Sequence, residues 1–190
     1  MEQLKARILR DGRVLPNSVV KVDSFLNHQV DPALIQAIGE WLAGHFADTP
    51  FTKVLTIEAS GIHIAYATAL AAGVPMVYAK KRKALTQGDD LYHSEVWSYT
   101  RQETYRITVA RPYLEASDRV LIVDDILAEG SALLGLVDIV RQSGAGMVGI
   151  GVAIEKSFQA GRGRLEELGV RVHALARIAS LEGGTIQFLE

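Results

Sequence analysis

The clearest pattern of apolar and polar positions along the chain begins at residue 31 and has the spacing of an α-helix. Asp31 is a residue type that caps helix N-termini, and Pro32 suits the first helical position because its backbone angle is already helical. Apolar side chains then recur at helical spacing, at Leu34, Ile35, Ile38, Trp41, Leu42 and Phe46. The pattern predicts a helix that buries one face.

A continuous apolar run follows this helix, and its composition is typical of a buried strand. We expect a strand at residues 53–58, a helix from about Ile62 that ends at Gly73, and a strand at residues 74–79. Glycine is a frequent helix stop because it accepts the left-handed conformation of the cap. Strand, helix and strand in this order predict a parallel crossover.

The second half of the chain continues the alternation of strands and helices. Residues 95–99 and 105–110 alternate in polarity and are rich in aromatic and β-branched side chains, which predicts an antiparallel hairpin able to extend a sheet edge. The remaining predicted elements are strand 119–123, helix 131–143, strand 148–154, helix 165–168 and strand 170–175. This order predicts an α/β fold with a doubly wound, mostly parallel sheet, in a single domain of residues 1–190.

Composition narrows the class of protein without changing the predicted fold. The 190 residues are 48% hydrophobic and 22% charged, which is typical of folded globular chains and argues against disorder or a coiled coil. The lack of cysteine excludes disulfide frameworks, thiolate metal sites and cysteine nucleophiles. A net charge of −2 gives no overall attraction to nucleic acid, and no apolar run reaches the roughly 20 residues of a membrane span. We therefore expect neither nucleic acid nor a membrane as a partner.

Two adjacent acids at the end of an apolar run carry the strongest chemical signal. Ligands of open parallel sheets bind beyond the carboxyl ends of the strands, where Asp124 and Asp125 are expected. Such carboxylates reach solvent, bind a cation, or accept hydrogen bonds from vicinal hydroxyls such as those of a ribose. Residues 128–132 then open a helix whose backbone N–H groups, with the Ser131 hydroxyl, suit a phosphate. The pattern indicates a ribose 5-phosphate site; the alternative is that the acids only cap the next helix.

Two further segments are candidate phosphate contacts. Ser60 and Gly61 follow the first predicted strand and let a diphosphate approach the backbone closely, although any turn at a helix start uses the same residue types. Lys81 and Lys83 belong to a basic run within residues 80–93, which are too long and polar for an ordinary connection and are interpreted as a functional loop. The alternative for the lysines is a solvated charge run.

Lys156 and Asn27 are candidates for recognising a base. The Lys156 ammonium donates hydrogen bonds to a carbonyl oxygen but suits the amino group of adenine poorly. Asn27 offers both a donor and an acceptor, so it can distinguish purines by their substituent at C2. The alternatives are a lysine that reaches solvent and an asparagine that belongs to a turn. The five histidines lack the spacing of a metal site, and no serine has the flanking residues of a nucleophile elbow.

The segment from Val120 to Ala132, two acids followed by a small-residue loop with Gly and Ser, resembles the signature of type I phosphoribosyltransferases. The resemblance extends to residues 21–29, 56–62 and 155–159 and to residues 175–182, and over nearly the whole chain it is with the bacterial xanthine phosphoribosyltransferases of that family. It implies a purine-salvage enzyme that converts xanthine and phosphoribosyl diphosphate to xanthosine 5′-monophosphate and diphosphate. It also implies a cytoplasmic homodimer and a small N-terminal hood, about residues 1–35, over the base site.

The resemblance also implies a set of site residues. They are Asp124 and Asp125 as catalytic residues; Ala128, Glu129, Gly130, Ser131 and Ala132 for phosphoribosyl diphosphate; Ser60, Gly61, Lys81 and Lys83 for diphosphate; and Val20, Asn27 and Lys156 for xanthine. Mg²⁺ is the implied cofactor, bound mainly through phosphoribosyl diphosphate, with no side chain assigned as its ligand. Glu129 departs from the uncharged or small residue expected at its position, and Val20 departs from the leucine expected at its own. The alternatives are a hypoxanthine/guanine phosphoribosyltransferase and a non-enzymatic regulator that senses phosphoribosyl diphosphate.

Overall fold

A six-stranded sheet forms the centre of the protein in a computed structural model that describes residues 1–81, 90–98 and 102–189. The described residues form the strands β1 (Arg13–Leu15), β2 (Val19–Lys21), β3 (Lys53–Ile57), β4 (Met76–Ala79), β5 (Leu91–Ser98), β6 (Glu103–Ala110), β7 (Arg119–Leu127), β8 (Gly146–Lys156), β9 (Val172–Ser180) and β10 (Gln187–Phe188). The α-helices there are α1 (Glu2–Asp11), α2 (Pro32–His45), α3 (Ile62–Ala72), α4 (Ser131–Ser143) and α5 (Gly161–Glu166). Short helical turns of other types span Asp23–Asn27, Arg111–Tyr113 and Glu182–Gly184.

The strand order in the central sheet is β10-β9-β8-β7-β3-β4. All neighbouring pairs are parallel except β10 with β9. Leu121 and Val123 of β7 pack with α1, α2 and α3, whereas Val120 and Ile122 pack with α4 and the β5–β6 hairpin. Both faces are therefore buried, because successive side chains of a strand point to opposite faces. The predicted α/β fold with a doubly wound, mostly parallel sheet is confirmed.

The helix boundaries that rested on capping residues are confirmed. Asp31 Oδ1 accepts a hydrogen bond from the backbone N–H of Leu34 at 3.2 Å, and α2 begins at Pro32. Helix α3 ends before Gly73, which has φ of 68°, and α4 ends before Gly144, which has φ of 75°. Both glycines adopt the left-handed conformation that other residues rarely adopt. No helix in the described ranges is long and apolar enough to cross a membrane.

Strand β7 is longer than predicted. The sequence predicted its end at Val123, but pairing with β8 continues to Leu127, which lies opposite Glu155. The ladder continues because β8 itself reaches Lys156 instead of ending at residue 154. Asp124 and Asp125 therefore lie inside the last part of a strand and not after its end.

Helix α5 is shifted from its predicted position. The prediction placed a short helix at residues 165–168, whereas α5 spans Gly161–Glu166. Glycine has a low helix propensity, so the helix α5 does not begin at Gly161 because of the residue type. The backbone N–H of Gly161 donates to Ala128 O at 3.1 Å, which fixes the first turn against a neighbouring loop. Tertiary packing therefore decides where this helix begins.

The predicted hairpin is confirmed as the antiparallel pair β5–β6, but it does not extend the central sheet. It forms a two-stranded sheet of its own. An isolated antiparallel β-bridge between Lys80, which follows β4, and Thr108 of β6 connects the two sheets. Val96 of the hairpin packs so closely on α4 that a Cβ on Gly135 would lie 2.7 Å from a methyl carbon of Val96. The hairpin therefore covers α4 and reaches the carboxyl end of the sheet.

The N-terminal segment contains elements that the sequence analysis did not predict. Helix α1 buries Leu4 and Ile8 against the sheet, and the N-terminal ammonium of Met1 donates to Leu175 O at 2.6 Å. Strands β1 and β2 form a small hairpin whose turn residues Asn17 and Ser18 have φ of 60° and 56°. This hairpin stands near the carboxyl ends of the central strands.

A cluster of aromatic rings lies near the amino end of β9. The rings of His45 and His173 have centroids 3.6 Å apart, and Trp41 stacks on both. Burial, followed by the charges of His45, Arg162 and Arg171, lowers the pKa of His173 to about 4. The folded protein therefore favours the uncharged form of this imidazole.

Candidate functional site

The paired acids lie near the carboxyl end of β7 and are almost completely buried. Asp124 is 5% exposed and Asp125 is 7% exposed. Each carboxylate accepts a hydrogen bond from the N–H of the next residue, at 2.9 Å in both cases. Burial, and next the negative charge of Asp125, raise the pKa of Asp124 well above its usual range. Cations and hydroxyl donors near Asp124 would favour its ionised form.

The two carboxylates face different parts of the molecule. Asp125 Oδ2 accepts a hydrogen bond from Asn27 Nδ2 at 3.2 Å, so it faces the N-terminal segment. Asp124 faces the turn between β3 and α3, where a Cβ added to Gly61 would lie 2.6 Å from Asp124 Oδ1. The structure thus joins the predicted ribose-binding acids to one predicted base contact and one predicted diphosphate contact.

The loop at residues 128–132 connects β7 to the N-terminus of α4. Gly130 has φ of 79°, a left-handed conformation that favours glycine. Gly130 also packs closely on α5, because a Cβ added to Gly130 would lie 3.0 Å from Gly161 Cα. Helix α4 then begins at Ser131 without a side-chain cap, so its first N–H groups can bind an anion.

One pocket of about 590 Å³ collects most of the predicted phosphoribosyl contacts. The predicted residues in its wall are Asp124, Ala128, Glu129, Gly130, Ser131, Ala132 and Lys156. Residues that the sequence analysis missed complete the wall, mainly Asn17 and Val19 from the β1–β2 hairpin, Trp97 and Tyr105 from the β5–β6 hairpin, and Gln159. For Trp97 and Tyr105 the sequence signal is the aromatic composition of residues 95–110, which predicted strands but not their proximity to the acids.

The predicted diphosphate contacts among the described residues do not line this pocket, although Gly61 and Lys81 each lie near one residue of its wall. Gly61 packs on Thr56 and Asp124, while Ser60 lies beside it in the turn, and neither belongs to the pocket wall. The backbone N–H of Lys81 donates to Glu58 Oε1 at 2.6 Å, and its ammonium lies 5.7 Å from the Tyr105 ring centroid. Lys83 lies outside the described residues.

The side chains of the three predicted base contacts all contact other parts of the protein. Lys156, at the end of β8, is half-buried, and its ammonium donates to Ser18 O at 2.9 Å. Burial lowers the pKa of Lys156. Asn27 donates to Asp125, as described above. Val20 is 6% exposed and packs in the core, whereas its neighbour Val19 lines the pocket.

Glu155 is a buried acid next to Lys156 that the sequence analysis assigned no role. It is 1% exposed and accepts hydrogen bonds from Arg162 Nε at 2.9 Å and Ser157 Oγ at 2.7 Å. Burial alone would raise the pKa of Glu155, but these hydrogen bonds and the charges of Arg162 and Arg177 lower it overall. This ion pair holds α5 against the end of β8.

The match to a known family decides the identity of this site. The model of the phosphoribosyl transferase domain matches residues 27–168, which contain both acids and the 128–132 loop. The chain belongs to the phosphoribosyl transferase family. It is therefore a phosphoribosyltransferase, an enzyme of the transferase class.

Curated relatives match this phosphoribosyltransferase over its full length. A protein named xanthine phosphoribosyltransferase from Brevibacillus brevis is 58% identical over 100% of this chain and 97% of its own. A protein of the same name from Heliobacterium modesticaldum is 54% identical over 99% of this chain and 100% of its own length. Another, from Bacillus mycoides, is 50% identical over 100% of this chain and 96% of its own length.

Solved structures support the fold of this phosphoribosyltransferase. Adenine phosphoribosyltransferase from Rhodothermus marinus superposes with a TM-score of 0.76 at 26% identity, over 93% of this chain and 97% of that one. Adenine phosphoribosyltransferase from Giardia lamblia, in complex with 9-deazaadenine, superposes with a TM-score of 0.74 at 25% identity, over 87% of this chain and 89% of that one. The fold is thus shared with phosphoribosyltransferases that act on another purine.

Proposed function

We propose that this enzyme transfers the phosphoribosyl group of phosphoribosyl diphosphate to xanthine, releasing diphosphate and forming xanthosine 5′-monophosphate. The observation that carries the proposal is full-length identity of 50–58% to relatives named xanthine phosphoribosyltransferase. The pocket bounded by Asp124, the 128–132 loop and Lys156 supports it, because one cavity offers contacts for ribose, phosphate and base.

Phosphate and ribose are assigned to the two features that follow each other in β7 and α4. The N–H groups of residues 128–132, with the Ser131 hydroxyl, bind the 5′-phosphate at the N-terminus of α4. Asp124 and Asp125 accept hydrogen bonds from the ribose hydroxyls and stabilise the positive charge that develops near C1′ as the bond to diphosphate breaks. Burial strengthens this interaction because water does not screen it.

The leaving diphosphate is assigned to Ser60, Gly61, Lys81 and Lys83. The Gly61 backbone suits close approach of an anion, and the lysines stabilise negative charge on the leaving group. We include Mg²⁺ as cofactor, since the Asp124 carboxylate beside Gly61 is an oxygen donor of the kind this ion prefers. The diphosphate itself would hold most of the ion, because Mg²⁺ is usually bound by substrate phosphates together with only one or two carboxylates. When bound, Mg²⁺ neutralises negative charge on the diphosphate.

The base is assigned to Asn27 and Lys156, whereas Val20 packs in the core. The Lys156 ammonium donates to the C6 carbonyl oxygen of a 6-oxopurine and disfavours the amino group of adenine. Asn27 donates to the C2 carbonyl oxygen that xanthine has and hypoxanthine lacks. Residues of the N-terminal segment, about 1–35, act as a hood over this position within a single domain, which the hydrogen bond from Lys156 to Ser18 supports.

The proposal includes a cytoplasmic homodimer. Tyr66 and Leu70 of α3 are 60% and 68% exposed, and large apolar side chains of this kind are typical of protein interfaces. Sedimentation of the purified protein should give twice the mass of the 20.7 kDa chain. A monomer at all concentrations would contradict this part of the proposal and leave the reaction unaffected.

Nucleotide formation from four purines tests the reaction directly. The purified protein is incubated with phosphoribosyl diphosphate, Mg²⁺ and either xanthine, guanine, hypoxanthine or adenine. We expect a clear preference for xanthine and no product from adenine. Preference for guanine or hypoxanthine would contradict the assignment of Asn27, and no product from any base would contradict the reaction.

A further inference from the structure

Helix α5 packs on the 128–132 loop from outside the pocket. Gly161 donates to Ala128 O, and a Cβ on Gly161 would lie 2.2 Å from that oxygen. From the loop side, a Cβ on Gly130 would lie 3.0 Å from Gly161 Cα. Neither Gly161 nor Arg164 of α5 belongs to the pocket wall. The helix therefore supports the loop from behind without touching the space for the substrate.

Arg164 reaches the same loop with its side chain. Its Nη1 donates to the backbone carbonyl oxygen of Glu129 at 2.8 Å, and the guanidinium is half-buried. In a planar trans peptide the carbonyl oxygen and the following N–H point in opposite directions. The hydrogen bond to Glu129 O therefore fixes the direction of the Gly130 N–H, one of the donors of the loop.

The other arginine of α5 fixes the helix itself. Arg162 forms an ion pair with Glu155 and donates to Val172 O at 3.0 Å, so it attaches α5 to β8 and β9. With Arg162 holding the helix to the sheet, the side chain of Arg164 has a rigid base. A charged donor on a rigid base restricts a carbonyl more than a surface hydrogen bond does.

We propose that Arg164 is a positioning residue for the 128–132 loop. It orients the Gly130 N–H toward the 5′-phosphate of phosphoribosyl diphosphate. This inference rests on the proposed function, since it takes the loop as the phosphate site. Arg164 does not line the pocket and acts only through this loop, so its effect is on binding of the phosphoribosyl substrate and not on the base.

The test compares R164M, R164K and the control R141M in the full-length enzyme. Arg141 also donates to a backbone carbonyl, that of Leu168 at 3.4 Å, but at the far end of α4. We expect R164M to raise the KM for phosphoribosyl diphosphate about tenfold, the effect of losing about 1.4 kcal/mol of binding. The KM for xanthine and kcat should stay within about twofold of wild type. R164K keeps a charged donor and should recover most of the affinity.

Calorimetry with ribose 5-phosphate separates this inference from the proposed function. This probe occupies the loop without a base, and R164M should bind it about tenfold more weakly than R141M does. A wild-type enzyme that makes no nucleotide would contradict the proposed function, while the calorimetric comparison would still test Arg164. Equal affinity of R164M and R141M would overturn the inference. An equal rise in both KM values together with a lower melting temperature would also overturn it, because that indicates general destabilisation.

Discussion

Replacement of Gly61 by alanine tests the contact between the turn after β3 and the buried acid. Gly61 has φ of −78°, which alanine adopts without strain, so the substitution acts through its methyl group alone. That carbon would lie 2.3 Å from Thr56 Oγ1 and 2.6 Å from Asp124 Oδ1. Ordinary contacts begin near 3.4 Å, so each oxygen has to move by about 1 Å.

The displacement predicts separate effects on stability and catalysis. Forcing an extra methyl group into a packed site costs about 1–3 kcal/mol. Moving a catalytic carboxylate by about 1 Å lowers the rate by about 100-fold. We therefore expect G61A to fold with a lower free energy of unfolding and to show about 1% of the wild-type kcat with xanthine and phosphoribosyl diphosphate.

A second variant separates the two contacts. Thr56 is completely buried, and its hydroxyl has no hydrogen-bond partner among the described residues, so T56A creates space without breaking a hydrogen bond. The double variant T56A/G61A should regain about 1 kcal/mol of stability, while its kcat stays low because the contact with Asp124 remains. The matched control is G44A, since nothing described lies within 4 Å of a Cβ on Gly44.

The assay combines urea unfolding with steady-state kinetics. G44A should match or exceed the stability of the wild type and keep its activity, because alanine favours helix over glycine by about 1 kcal/mol. A G61A enzyme with at least about a third of the wild-type kcat would refute the argument. So would a change confined to the KM for phosphoribosyl diphosphate, because an unchanged kcat would mean that the charge stabilisation assigned to Asp124 in the transition state was intact.

Three further predictions follow from contacts near the site and in the core. K156M removes the donor to the base, so the KM for xanthine should rise at least about tenfold. The KM for phosphoribosyl diphosphate should stay within about twofold of wild type, and an equal rise in the two KM values would contradict the assignment of Lys156 to the base. R162M leaves Glu155 buried without its main partner and should lower the free energy of unfolding by about 3–5 kcal/mol in urea titrations; a loss below about 1 kcal/mol would contradict a buried ion pair. Because the folded state lowers the pKa of His173 from 6.5 to about 4, its contribution to stability is complete above pH 6.5 and is lost as the pH falls toward 4. The loss should be about 1–2 kcal/mol after allowance for partial exposure, and it should be smaller in H173N; the same pH dependence in both proteins would contradict the role of His173.

Local signals in the sequence predicted the elements whose ends depend on single residues. Asp31, Pro32, Gly73 and Gly144 each act through their own backbone or side chain, and the helices begin or end next to them. The ends of the strands depend on partners elsewhere in the chain. Strand β7 passes its predicted end because β8 continues beside it, which no property of the β7 residues predicts.

The candidate site was predictable in its acids and its loop, but not in its walls. Residues 124–132 are contiguous, so their chemistry is visible in one segment. Trp97 and Tyr105 reach the pocket because the hairpin packs on α4, and Asn17 reaches it through a hairpin that has a weak sequence signal. The hydrogen bonds from Asn27 to Asp125 and from Lys156 to Ser18 join residues far apart in sequence, so they depend on the complete fold.

The hydrogen bond between Asn27 and Asp125 has a kinetic consequence. In this structure one N–H of the amide assigned to the base donates to the acid assigned to the sugar. The amide carries a second N–H and an oxygen, so a base can still reach it while this contact holds. A ribose hydroxyl that donates to Asp125 Oδ2 would weaken the contact and change the orientation of the Asn27 side chain. Binding of the sugar should therefore change the affinity for the base, and initial-rate patterns with both substrates varied would report that coupling.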